Sequence, residues 1–156
     1  MSNQIFYNHE VIALLKEAGW FEGRNAGSSL TLPSDVKYPV EILEILQEFG
    51  GLSVRSSGPG ITLIKNDIDF NPAEAEFESE IDGRLHYYSQ LLKRTIYPIG
   101  YVPNESLMLC LDSTGKTYMA GDNLYLVGTS FVDGVSNILL GIRGKIFHED
   151  DLRWMD

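Results

Sequence analysis

The chain has 156 residues, 44% of them hydrophobic, which suits one folded domain with a real core and excludes a disordered chain. Its formal net charge of −10, from 22 acidic and 12 basic residues, argues against nucleic-acid binding and against attraction to an anionic membrane surface. The same charge would draw in a basic protein, and it equally fits an acidic protein kept soluble by its surface.

Asn8 is placed to cap a first helix, in which Val11, Ile12, Leu15 and Ala18 recur at three- and four-residue spacing before Gly19 ends it. The polar stretch GRNAGSSL then reads as loop. Pro39 opens a second helix with Ile42, Leu43, Leu46 and Phe49 on one face and Gly50 as its stop. GLSVRSS and ITLI predict two short strands joined by a turn at Gly58-Pro59-Gly60. Asn71-Pro72, with Glu74 three residues after the cap, starts a third helix whose stripe is Phe77, Ile81, Leu85, Tyr88 and Leu92. Gly83 interrupts it, so one helix and two helical pieces both fit.

TIYPIGYV, LMLCLD, TYMAG and LYLVG predict strands, with a turn at STGK. Leu107, Leu109 and Leu111 alternate with Met108 and Cys110, as expected of a strand covered on both faces. A last helix runs from Ser130 to Gly141, and the tail KIFHEDDLRWMD follows without a clear pattern. The element order predicts the α+β class: an antiparallel sheet with flanking helices, set to one side, in one domain over residues 1–156.

Candidate chemistry fails on spacing. Gly115-Lys116-Thr117 matches the end of a phosphate-binding loop, but the glycine required five residues earlier is Cys110, inside an apolar strand. Ser113-x-x-Lys116 matches a serine–lysine acylase motif without its companions, and a hairpin turn explains the segment better. His9, His86 and His148 have no metal-ligand spacing, and Cys110, the only cysteine, excludes an intrachain disulfide and reads as a buried, inert thiol. No catalytic residue, metal site or cofactor is expected. The opening MSNQIFYNHE lacks a secretory pattern and no apolar run reaches the roughly 18 residues of a membrane span, so a cytoplasmic protein is expected.

What remains is a dense acidic segment, Asp67, Asp69, Glu74, Glu76, Glu78, Glu80 and Asp82, with no Lys or Arg between them. It is either a solvated helix face or a docking surface for a basic partner. Asp67-x-Asp69 alone would suit a divalent cation, though carboxylates alternating along a strand more often form a solvated face.

Five short stretches resist a chemical reading. They are Ala18-Gly19-Trp20 with Gly23-Arg24, Phe49-Gly50-Gly51-Leu52, Tyr97-Pro98-Ile99-Gly100, Leu111-Asp112 with Gly115-Lys116-Thr117-Tyr118, and Leu139-Leu140-Gly141. In this order the chain resembles the SUKH superfamily, in particular its third subgroup of bacterial toxin-immunity proteins, from about residue 10 to 141. Phe21-Glu22 stand between Trp20 and Gly23-Arg24 as a variation, and the tail has no counterpart. The resemblance implies an α+β SUKH-like domain that binds a cognate toxin, often a nuclease or nucleic-acid deaminase, and blocks it without turnover. Trp20, Arg24, Gly50, Gly51, Pro98, Gly100, Gly115 and Gly141 are then a fold signature. Trp20 would anchor the first helix against the sheet, and Arg24 would pair with a carboxylate or cap a carbonyl. An interaction module outside toxin loci, and a small hydrolase or ligand binder, are the alternatives. A toxin gene immediately upstream would separate the first from the antidote, and a deep apolar pocket would favour the second.

Overall fold

The computed structural model describes residues 4–34, 36–73 and 83–156. Among the described residues there are four α-helices: α1 (His9–Glu17), α2 (Val40–Phe49), α3 (Arg84–Leu92) and α4 (Phe131–Leu140). The first four strands are β1 (Ser53–Val54), β2 (Ile68–Asp69), β3 (Ile96–Val102) and β4 (Leu107–Asp112). The other four are β5 (Thr117–Ala120), β6 (Leu124–Gly128), β7 (Lys145–His148) and β8 (Arg153–Met155). All eight form one sheet in sequence order, each strand antiparallel to the next. This is the α+β architecture expected from the sequence.

Local chemistry fixes the helix ends. The Asn8 side chain accepts from the Val11 N–H at 3.1 Å, and the Ser130 hydroxyl accepts from Asp133 N–H at 3.1 Å, so both helices start on a cap. Past α1 the Gly19 and Trp20 amides donate to the Lys16 and Leu15 carbonyls at 3.0 and 2.9 Å, with Gly19 at φ +109°. That pair of bonds is the Schellman ending, which needs a left-handed residue and brings the next side chain back over the helix. α4 closes the same way, with Gly141 and Ile142 donating to Ile138 and Asn137. α3 repeats it with Lys93 at φ 57° in place of glycine.

The sheet separates two cores. On one face α1, α2 and α4 pack through Leu15, Phe49, Phe131 and Leu139 onto Ile99, Leu109, Leu111 and Val127. On the other, Leu85 and Tyr88 of α3 meet Ile96, Met108, Cys110 and Tyr118, with Phe147 and the half-buried Trp154 completing the layer. The alternation along β4 therefore buries both faces, as expected, and the helices do not all lie to one side. A strand apolar on both faces needs a cover for each, and α3 with the β7–β8 hairpin supplies the second. On the first face α4 sits very close to β5: a Cβ added at Gly134 would lie 2.3 Å from the Thr117 Cβ. Only glycine permits that approach.

One expectation for the chain's irregular parts is corrected. ITLI is not a strand beside GLSVRSS; β1 pairs with Ile68–Asp69, and ITLI belongs to a loop with a single bridge between Pro59 and Ile64. Its amides go to α4 instead, because Ile61 N–H donates to Leu140 and those of Thr62 and Leu63 donate to Gly141. The tail is a hairpin, β7–β8, joined to the sheet through Tyr125↔Ile146. Helical geometry is present at Pro72 and Ala73 and again from Arg84, with Gly83 at φ 65°, while the stripe positions Phe77 and Ile81 lie outside the described residues.

Candidate functional site

The described part of the acidic segment is already engaged. The Asp67 carboxylate accepts the Ser56 amide at 2.7 Å and lies 3.6 Å from the Arg55 guanidinium, while Asp69 accepts from Arg55 at 2.8 Å. Both carboxylates are about one-fifth exposed, and one arginine from the other side of the β1–β2 pair faces them both. They brace that pair, and the one guanidinium facing them offsets part of their charge. Glu74, Glu76, Glu78, Glu80 and Asp82 lie outside the described residues.

The residues of the fold signature occupy chain reversals and close approaches. The Trp20 indole stacks on Phe49, with centroids 6.0 Å apart and planes 8° from parallel, and its N–H donates to the Glu48 carboxylate at 2.8 Å. Trp20 therefore leans on α2, where the sequence reading set it against the sheet. Arg24 donates to the Glu48 carbonyl at 2.7 Å, in the last turn of α2, where carbonyls have no partner within the helix. Together they tie the α1–α2 loop to the last turn of α2. Gly50 has no room for a Cβ, which would meet the Leu46 carbonyl oxygen at 2.4 Å, and Gly51, at φ +84°, donates to the Phe70 carbonyl at 2.8 Å. The Pro98 carbonyl accepts from the Tyr38 hydroxyl at 2.6 Å, and Gly100 lies against the Asp69 carbonyl at the β2–β3 crossing. Gly115 supplies φ +93° in the β4–β5 turn, and Gly141 ends α4.

That turn holds a carboxylate with five donors, Asp112, which the sequence marks only as part of a turn and of a signature stretch. Asp112 is 1% exposed. One of its oxygens accepts from the Thr114 amide, the Thr114 hydroxyl and the Lys116 amide at 2.6–3.1 Å; the other accepts from Tyr118 at 2.8 Å and Arg94 at 3.0 Å. Burial alone would raise its pKa, but the hydrogen bonds from Thr114, Tyr118 and Arg94 outweigh it and hold the carboxyl below its ordinary value. Tyr118 is pushed up by burial and by this neighbour. The sequence did carry one signal, an Asp followed two residues later by a Thr in a glycine turn, which is the pattern of a side chain closing its own turn. β5 follows directly, so the segment does not run into a helix N-terminus as a phosphate-binding loop does, and the Thr117 hydroxyl donates to the Ser130 carbonyl at 3.0 Å.

Other chemical groups are dispersed. Cys110 is fully buried, which pushes its thiol well above the ordinary range. His9, His86 and His148 are exposed on α1, α3 and β7. Among the described residues no group of three or more His, Cys, Asp or Glu is arranged to hold a metal ion, and no helix is long and apolar enough to cross a membrane.

The family model of the SUKH-3 immunity protein matches residues 7–141, from just before the α1 cap to the glycine that ends α4. The chain belongs to the SUKH-3 immunity protein family. Neither the curated proteins nor the solved structures give a match. The SUKH-3 match takes in every signature residue and stops before the β7–β8 hairpin, the same limit that the sequence resemblance reached.

Proposed function

We propose that this protein neutralises a cognate toxin domain, of the nuclease or nucleic-acid-deaminase type, by binding it and occluding its substrate surface in the cytoplasm, without turnover. The SUKH-3 match over most of the chain carries the reading. The net charge of −10 supports it, because a toxin that grips nucleic acid presents the basic face such a protein would attract.

Within that reading the acidic segment supplies the steering charge. Arg55 faces Asp67 and Asp69, so the contribution falls on Glu74, Glu76, Glu78 and Glu80. Carboxylates there stand in for phosphates, speeding encounter and excluding substrate. Their effect is screened over a Debye length of about 8 Å at physiological salt. Glutamine at all four positions is expected to slow association with the cognate toxin domain by roughly 10- to 100-fold at low salt, with less loss at high salt. The fold should persist, because Glu→Gln keeps the size of each side chain and removes only its charge, and thermal melts check it. Surface plasmon resonance at two salt concentrations makes the comparison. Association at the parent rate in both would leave the segment without a part in steering.

A further inference from the structure

The sheet is not fully covered on its three-helix face. Beyond the end of α4, Leu107, Met119, Tyr125 and Ile146 from four consecutive strands floor an open groove of about 400 Å³. Tyr125 pairs in register with both Met119 and Ile146, so those three form one row across the sheet, with Leu107 beside it, two residues along β4 from Leu109, the partner of Met119. One wall is Leu63 and Ile64 of the ITLI loop, and the other is the Ile142–Gly144 segment that leaves α4.

Two observations distinguish this groove from a packing defect. First, the loop wall is pinned in place while its apolar side chains point outward. Thr62 and Leu63 donate to the Gly141 carbonyl at 2.8 Å each, and the Thr62 hydroxyl accepts from the Arg143 amide at 2.7 Å. Yet Ile64 is 69% exposed, and the adjoining Ile61 is equally so. Large apolar side chains held out by a fixed backbone form a pre-ordered surface, which binds without the entropic cost of ordering a loop. Second, the rim has a charge bias. Glu105 and Asp156 stand on it against a single basic residue, Arg143. It continues past Asn104, whose side chain accepts from the Asp67 amide, to the start of the acidic segment.

We infer that this groove receives a large apolar side chain of the toxin, flanked by Lys or Arg that meet Glu105 and Asp156. A second copy of this chain is the poorer occupant, because it would bring another net charge of −10 to an acidic rim. The volume admits one or two large side chains, the scale of an interface anchor. The inference rests on the toxin-neutralising reading and adds to it a division of labour. The acidic segment governs association, and the groove governs how long the complex lasts.

The test uses the full chain and the cognate toxin domain, followed by surface plasmon resonance. Ile64→Ala is expected to weaken binding about 10-fold and Ile64→Lys about 100-fold, mostly through faster dissociation, as loss of an interface anchor does. Ile64 is exposed, so both variants should melt with the parent; Val40→Lys, at a 65% exposed apolar position on α2 outside the groove, should bind as the parent does. If the parent binds and both Ile64 variants stay within about twofold of it, far short of an anchor's worth, the groove is not the anchor site and the neutralising reading stands. An equal loss in Val40→Lys would overturn the groove as well, by making the effect one of charge alone. A parent that does not bind overturns both the reading and the inference.

Discussion

Asp112→Asn is expected to lower stability by about 3 kcal/mol, near the low end for breaking a buried ion pair because Arg94 is partly exposed. Roughly 2–4 °C of melting temperature per kcal/mol for a chain this size makes the fall about 6–12 °C. The carboxylate oxygens accept from five donors, in the β4–β5 turn, on β5 and just past the end of α3. Asparagine offers one acceptor oxygen and turns an N–H₂ group towards the remaining donors, so several bonds go together. The effect should also depend on pH in a definite direction. The folded pKa is depressed, so the stabilisation is fully present above the unfolded value of about 3.9 and is lost as pH falls through the folded value. Urea melts of parent and variant should thus differ by a constant amount between pH 7 and pH 5 and converge below about pH 4, where the unfolded carboxyl is protonated. A gap that is absent at pH 7, or that widens in acid, would contradict this account of the turn.

Trp20→Ala should cost about 3 kcal/mol, the lower end for a large aromatic truncation, since Trp20 is half-buried rather than fully enclosed. It removes the stack on Phe49, the edge contact with Phe6 at 6.3 Å and the N–H bond to Glu48. Trp20→Phe separates these contributions. It keeps an aromatic face on Phe49 and deprives Glu48 only of the indole donor, so it should cost about 1 kcal/mol. Thermal melts of the two variants check the order. Should Trp20→Ala melt with the parent yet lose the toxin, the residue is an interface anchor and its packing role is incidental.

The parts of the fold that were legible in the sequence are those fixed by neighbours in the chain. Asn8, Ser130, Gly19 and Gly141 mark helix ends because their caps and left-handed turns close within five residues. The strands β3 to β6 were legible because short turns separate most of them, with Gly115 at the left-handed position of the β4–β5 turn. Where partners are distant the pattern misled. The alternation in ITLI resembles a strand, but α4, nearly 80 residues away, takes its amides. The β7–β8 hairpin was hidden because its turn, Glu149 to Leu152, has no glycine, and Leu152 itself takes φ 53°. The stripe through Leu85 and Tyr88 shows that α3 buries a face without saying against which side of the sheet.

The candidate site follows the same rule. An unbroken acidic run reads as free charge, yet Arg55, more than ten residues upstream of Asp67 and Asp69, faces both across a strand pair. The docking groove was invisible because its floor gathers one residue from each of four strands. Asp112 was read as one residue of a turn because Arg94 and Tyr118 reach it only once α3 and β5 are in place.

The central claim is that this SUKH-3 protein silences a toxin by occupying it, and titrating the toxin's activity tests this most directly. A purified cognate toxin domain is assayed on its own substrate while the full chain is added in steps. Occlusion predicts that activity falls in proportion to the protein added, reaches its floor at a fixed molar ratio, and returns when the complex is dissociated. Activity that stays constant through a large excess of the chain, or that declines with time at a small fraction of an equivalent and does not return, would contradict it.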